Sequence, residues 1–171
     1  MIAFRRPSSS LAALLVAALL VLAPRGAAAQ LGIDLGAKAP DAAVETLDGK
    51  PAQLAQAFAG KPAVIEFWAT WCSNCRDLEP AIQAAQKKHA GKVAFIGVAV
   101  SVNQSPERVK RYVATHLTGF THFYDRKGNA TGDYDVPATS YVVVLDKAGK
   151  VVYTGLGGDQ DIEAAIQKAL K

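Results

Sequence analysis

Ala63-Val64-Ile65-Glu66-Phe67-Trp68-Ala69-Thr70-Trp71-Cys72-Ser73-Asn74-Cys75 leads an apolar strand directly into two thiols set two residues apart, the only cysteines of the 171-residue chain. The continuous apolar character of Ala63 to Ala69 is what burial on both faces of a sheet requires, and Glu66 is its one exception. From about Ser73 to His89 the pattern becomes helical, with Leu78, Ile82 and Ala85 on one face and a kink expected at Pro80. A Cys-x-x-Cys pair at this junction puts the first sulfur near a helix N-terminus, where free N–H groups and the macrodipole favour the thiolate. The second sulfur, about one turn on, can attack a mixed disulfide on the first and close an intramolecular bridge. That chemistry is dithiol–disulfide exchange.

Three other readings of the pair are weaker. A purely structural bridge closing so short a loop gains only about 2 kcal/mol of chain entropy. A zinc site needs four ligands, and His89, His116 and His122 show no tight ligand spacing. Two idle thiols suit a reducing cytosol, which the N-terminus argues against. Residues 1–29 have the parts of a secretory signal: Arg5 and Arg6, an apolar run from Leu11 to Ala23, and Ala27-Ala28-Ala29 as the cleavage site. Cleavage is expected before Gln30, leaving residues 30–171 as one domain in the periplasm. The 13-residue run falls short of the roughly 20 that span a bilayer, so an uncleaved anchor over residues 11–23 is the lesser alternative. Loss of Arg5, Arg6 and Arg25 takes 19 basic residues to 16 against 15 acidic, and net charge from +4 to +1. With no basic run interleaved with aromatics, nucleic acid is not an expected partner.

Outward from the cysteines, residues 30–40 read as a loose lead-in. Val44 to Leu47 enters a turn at Asp48-Gly49, and Leu54 to Phe58 forms a short helix. Val93 to Val100 is a second buried strand. Ser105 caps a helix that has Pro106 in its first turn and runs to about Leu117. Phe120 to Tyr124 is a strand, and Asp125 to Asp135 a polar stretch ending at Val136-Pro137. Tyr141 to Leu145 and Val151 to Tyr153 pair through Asp146-Lys147-Ala148-Gly149, and Asp159 to Leu170 closes the chain as a helix. The alternation predicts an α/β fold with a mixed central β-sheet flanked by helices.

Phe67 to Arg76, with Pro80 eight positions after Cys72, resembles the thioredoxin-like fold, and within it the exported TlpA/ResA-like thiol–disulfide oxidoreductases. Gly36-Ala37-Lys38-Ala39-Pro40, Leu47-Asp48-Gly49-Lys50 and Gly60-Lys61-Pro62 are similar to that family's N-terminal extension, and residues 101–124 to its central insertion. The resemblance implies Cys72 as the attacking thiol, Cys75 as the resolving thiol, and Glu66 as a buried acid exchanging a proton with Cys75. It implies a cis bond before Pro137, with the backbone at Val136 free to pair with an extended substrate and Trp71 packed beside the sulfurs as a shield. Ser73 and Asn74, where many relatives carry a proline in second place, tune the redox potential. Ala138 stands where the family often has threonine. No metal and no cofactor beyond the Cys72–Cys75 pair is implied; the partners are protein thiols and disulfides and a membrane thiol–disulfide electron donor.

The function so expected is reduction of periplasmic disulfides, as in cytochrome c maturation or metalloprotein assembly. A periplasmic oxidant or isomerase is the alternative within the enzyme class. A thioredoxin-fold copper-binding chaperone is the alternative outside it, although neither a three-residue cysteine spacing nor a distal histidine ligand is evident. A thiol peroxidase would carry threonine or serine three residues before its cysteine, where this chain has Ala69.

Overall fold

The computed structural model describes residues 31–171; the expected signal peptide and its cleavage site lie outside the described residues. In chain order the elements are β1 (Ala43–Thr46), β2 (Pro51–Gln53), a 3-10 turn (Leu54–Ala57), β3 (Ala63–Trp68), α1 (Ser73–Lys88), β4 (Ala94–Val100), α2 (Pro106–His116), β5 (Thr121–Asp125), α3 (Asn129–Asp133), β6 (Tyr141–Leu145), β7 (Val151–Leu156) and α4 (Ile162–Ala169). The strands form one mixed sheet in the order β2-β1-β5-β4-β3-β6-β7. The strands β5, β4 and β3 are parallel, and β6, β7, β1 and β2 join antiparallel on either side. This is the thioredoxin-like fold expected from the sequence.

Because successive strand residues point to opposite faces, β3 divides its side chains between two cores. Ile65 and Phe67 join Ile96, Val98, Phe123, Tyr141 and Val143 on one face, covered by Leu54, Phe58 and Tyr134. Val64 faces the other way, against Leu78, Ile82 and Ala85 of α1 and Ile162, Ala165 and Ile166 of α4. Glu66 and Trp68 follow Val64 on this helix-covered face. Trp68 belongs to a third cluster with Cys72, Cys75, Ala99, Val109 and Leu117, at the end of the sheet where α2 packs.

Besides β2, which has no counterpart among the expected strands, and β7, which runs to Leu156 rather than Tyr153, three segments differ from expectation. The lead-in is tied down: Gly36 N–H donates to the Val151 carbonyl at 2.7 Å, Val151 N–H to that of Ala37 at 2.9 Å, and Ile33 is buried. The polar stretch contains α3, whose five residues carry no readable periodicity. Buried Asp125 holds it in place by accepting from the N–H groups of Ala130 (3.2 Å) and Thr131 (2.8 Å) and from the Thr131 hydroxyl (2.8 Å). The closing helix starts at Ile162 rather than Asp159, because Asp161 caps it by accepting from Ala164 N–H at 2.8 Å. The Ser105 cap, with Pro106 in the first turn, is where the sequence placed it.

Candidate active site

The last residues of β3 pass through Ala69, Thr70 and Trp71 into α1, and hydrogen bonds fix each step of that turn. Thr70 N–H donates to Gln104 Oε1 at 2.9 Å, while Gln104 Nε2 donates to the Val100 carbonyl at 2.5 Å. The Tyr124 hydroxyl donates to the Gln104 carbonyl at 2.8 Å, so one side chain and its backbone tie β3, β4 and β5 together behind the site. Nothing in the sequence singles out Gln104, whose role depends on how three strands come together.

Cys72 is the N-cap of α1. Its extended backbone (φ −77°, ψ 116°) aims Sγ back at the helix, where it accepts from Cys75 N–H at 3.1 Å. Capping oxygens normally occupy this place, and a sulfur there gains both the hydrogen bond and the positive end of the helix dipole, which favour its thiolate. Cys72 and Cys75 form a disulfide with their Cα atoms 5.3 Å apart, within the usual span for such a bridge. Both cysteine residues are largely buried, while Ser73 and Asn74 between them are exposed. The loop after β7 crosses this turn closely enough that a Cβ on Gly158 would stand 3.1 Å from the Asn74 carbonyl oxygen.

Trp71, immediately before Cys72, is held at the surface. The residue is 42% exposed, its Nε1 donates to the Val102 carbonyl at 2.8 Å, and it lines a groove of about 490 Å³ together with Val102, Thr131, Val136, Ala138 and Thr139. Trp71 and Val136 therefore share one wall system, and Pro137 stands exposed beside it. The described backbone contains no cis peptide bond, so Val136–Pro137 is trans, contrary to expectation. Trans is the lower-energy isomer of an X–Pro bond by about 0.5–1 kcal/mol. The chain enters β6 through Ser140, buried at φ 65°, whose N–H donates to the Phe67 carbonyl at 2.9 Å and whose hydroxyl donates to that of Gly157 at 2.9 Å.

Glu66 lies at the middle of β3, in register with Gly97 on β4 and Val142 on β6. It is buried, and its Oε1 has no hydrogen-bond partner. Burial, reinforced by the nearby Glu79 carboxylate, pushes its carboxyl up to about 8, so it is protonated at neutral pH. Glu79 itself accepts from the Tyr112 hydroxyl at 3.1 Å and from Gln83 Nε2 at 3.0 Å. His89 and His116 end α1 and α2 as expected. His89 Nε2 pairs with Glu163 at 3.0 Å, joining α1 to α4 far from the sulfurs. His122, unassigned from sequence, is buried on β5, with Nε2 3.0 Å from the Leu117 carbonyl. Among the described residues no group of three or more His, Cys, Asp and Glu side chains gathers to hold a metal, and no helix is long and apolar enough to cross a membrane.

The sequence and fold of this chain recur in known proteins. Residues 34–170 match the redoxin family. The thioredoxin-like protein YneN of Bacillus subtilis is 35% identical over 140 residues, 80% of this chain and 81% of that protein. The thiol-disulfide oxidoreductase ResA of Bacillus cereus is 28% identical over 138 residues, 80% of this chain and 79% of its own length. The crystal structure described as a putative thiol:disulfide interchange protein DsbE of Chlorobium tepidum superposes with a TM-score of 0.71 at 27% identity, covering 81% of this chain and 99% of the other. The chain thus belongs to the redoxin family and is a thiol–disulfide oxidoreductase of thioredoxin-like fold.

Proposed function

We propose that this protein is exported, loses residues 1–29, and reduces disulfides of periplasmic client proteins such as those handled in cytochrome c maturation or metalloprotein assembly. The observation that carries the exchange chemistry is the Cys72 sulfur at the N-cap of α1, accepting from Cys75 N–H with Cys75 poised to bridge it. In the dithiol form the Cys72 thiolate attacks a client sulfur, forming a mixed disulfide and expelling one client thiolate. Cys75 then gives its proton to the Glu66 side, attacks the Cys72 sulfur, closes the bridge and releases the second client thiolate. Two electrons pass to the client. The groove between Trp71 and Val136 is suited to an extended client segment, and Ser73 and Asn74 set the balance between thiolate and disulfide. A membrane-borne thiol–disulfide donor would return the pair to its dithiol form.

Export rests on the leader's composition, and the reducing direction on similarity to the ResA and DsbE proteins. Equilibration of the mature protein with glutathione buffers tests the direction. A potential below about −200 mV, on the thioredoxin side of the scale, is expected; a value near about −120 mV would make the protein an oxidant.

A further inference from the structure

Three buried polar atoms without partners, Glu66 Oε1, Trp68 Nε1 and His122 Nδ1, occupy one small region of the helix-covered face. Glu66 is in register with Gly97, and Gly97 with His122, so the three residues stand side by side across β3, β4 and β5. In-register residues of parallel strands point to the same face, and Trp68, two residues after Glu66, shares it. Because Gly97 has no Cβ, the His122 ring and the Trp68 indole lie over its backbone. A Cβ there would lie 2.9 Å from Trp68 Nε1, 2.7 Å from His122 Cε1 and closer still to His122 Nδ1. The two unpartnered nitrogens thus meet over Gly97, the residue in register with Glu66.

We propose that His122, lying over Gly97 toward Glu66, is a positioning residue for the redox reaction, accepting the Glu66 proton on Nδ1. The inference rests on the proposed exchange of a proton between Cys75 and Glu66, and removes a difficulty in it: a carboxyl protonated at neutral pH is no base by itself. With His122 behind it, Glu66 takes the Cys75 proton on one oxygen while the proton it holds on the other passes to Nδ1. The step conserves protons: Cys75 becomes a thiolate, Glu66 stays neutral, and His122 carries the added charge until the proton returns through Glu66 to a departing client thiolate.

The surroundings support this assignment. The bond from His122 Nε2 to the Leu117 carbonyl makes Nε2 the N–H and leaves Nδ1 the lone pair. Burial lowers the His122 pKa, which keeps the ring neutral and able to accept before turnover. The titratable and charged groups around the cluster are Glu79 and Arg76 of α1, Tyr112 of α2 with His116 stacked on it at 4.2 Å between centroids, and the two cysteines. The Glu79 carboxylate beside Glu66 favours a transient imidazolium electrostatically, and the Arg76 guanidinium near Tyr112 opposes it.

The test is the rate at which the mixed disulfide resolves, followed by stopped flow between about pH 6 and 9 in wild type, His122→Leu, His122→Asn and Glu66→Gln. Both His122 variants are expected to resolve at least about tenfold more slowly at pH 7 and to recover above about pH 8, where Glu66 ionises and serves as a base alone. Asparagine keeps a hydrogen-bond acceptor but cannot hold the proton, so its recovery at pH 7 would overturn the proposal in favour of a structural role. A defect independent of pH in either variant would also overturn it. If His122→Leu does not fold, His122→Asn decides alone. Normal resolution by Glu66→Gln across the range would instead sink the Glu66 reading, whereas a slow Glu66→Gln beside wild-type behaviour of both His122 variants would sink this inference only.

Discussion

Glu66 and Phe67 are neighbours in sequence on opposite faces of the same strand. On the Phe67 face the buried polar groups are satisfied: the Tyr134 hydroxyl donates to the Pro40 carbonyl at 3.0 Å, and the Tyr141 hydroxyl to that of Leu31 at 3.5 Å. Phe67 itself packs within 5.3 Å of the Tyr134 ring and 6.2 Å of the Tyr141 ring. On the Glu66 face a carboxyl oxygen, an indole N–H and an imidazole nitrogen are buried without partners. Unsatisfied groups of this kind each cost about 1–3 kcal/mol, and they lie in the cores that contact α1 and hold the cysteines. The two faces therefore differ: one satisfies its buried polar groups, and the other tolerates unfavourable burial, which accords with the proposed role of Glu66 in moving a proton.

The largest effect that would sharpen this division falls on the cysteines. Cys72→Ser is expected to reduce disulfide turnover to background and to trap no partner. Cys75→Ser should accumulate covalent mixed disulfides on non-reducing gels, and the opposite pattern would reverse the roles of the two thiols.

Phe67→Ala comes next. Removing this fully buried ring is expected to cost about 3–5 kcal/mol in denaturant unfolding, while the redox potential of the molecules that remain folded stays that of the wild type. A changed potential would break the separation of faces.

Glu66→Gln tests the other face through the pH dependence of stability. The Glu66 carboxyl rises from 4.5 to about 8 on folding, so its contribution is fully present below pH 4.5 and is lost as pH climbs through 8. Wild type should lose stability relative to the variant across that window, by up to about 1.4 kcal/mol for each pH unit climbed. Parallel stability curves would mean that the carboxyl is not perturbed.

Asn74→Pro has the smallest expected consequence. Proline is accepted in the first turn of a helix, so stability should change by less than about 1 kcal/mol, while the potential moves by tens of millivolts. An unchanged potential would remove the exposed dipeptide as the tuning element.

The legible parts of this molecule are those whose cause is local. The strand from Ala63, the cysteines at the helix start, the Ser105 cap and the Asp146–Gly149 turn each depend on residues within a few positions, and each is found where the sequence puts it. Glu66 is readable because a charge interrupts an apolar run. His122 and Gly97 are not, since their meaning comes from the register of three strands separated by helices. Gln104 escapes for the same reason. The trans bond at Pro137 shows where the resemblance outran the residues, since it concerns the loop that leads into β6 rather than any local pattern.

The central claim, that the Glu66 face carries the proton of the redox reaction, is tested most directly by the steady-state rate of disulfide reduction by wild type and Glu66→Gln between about pH 6 and 9. The wild-type rate is predicted to change through an ionisation near pH 8 that the variant lacks, with the variant slower throughout and its fold unaltered. Superimposable profiles would contradict the account and leave Glu66 as a structural residue of β3.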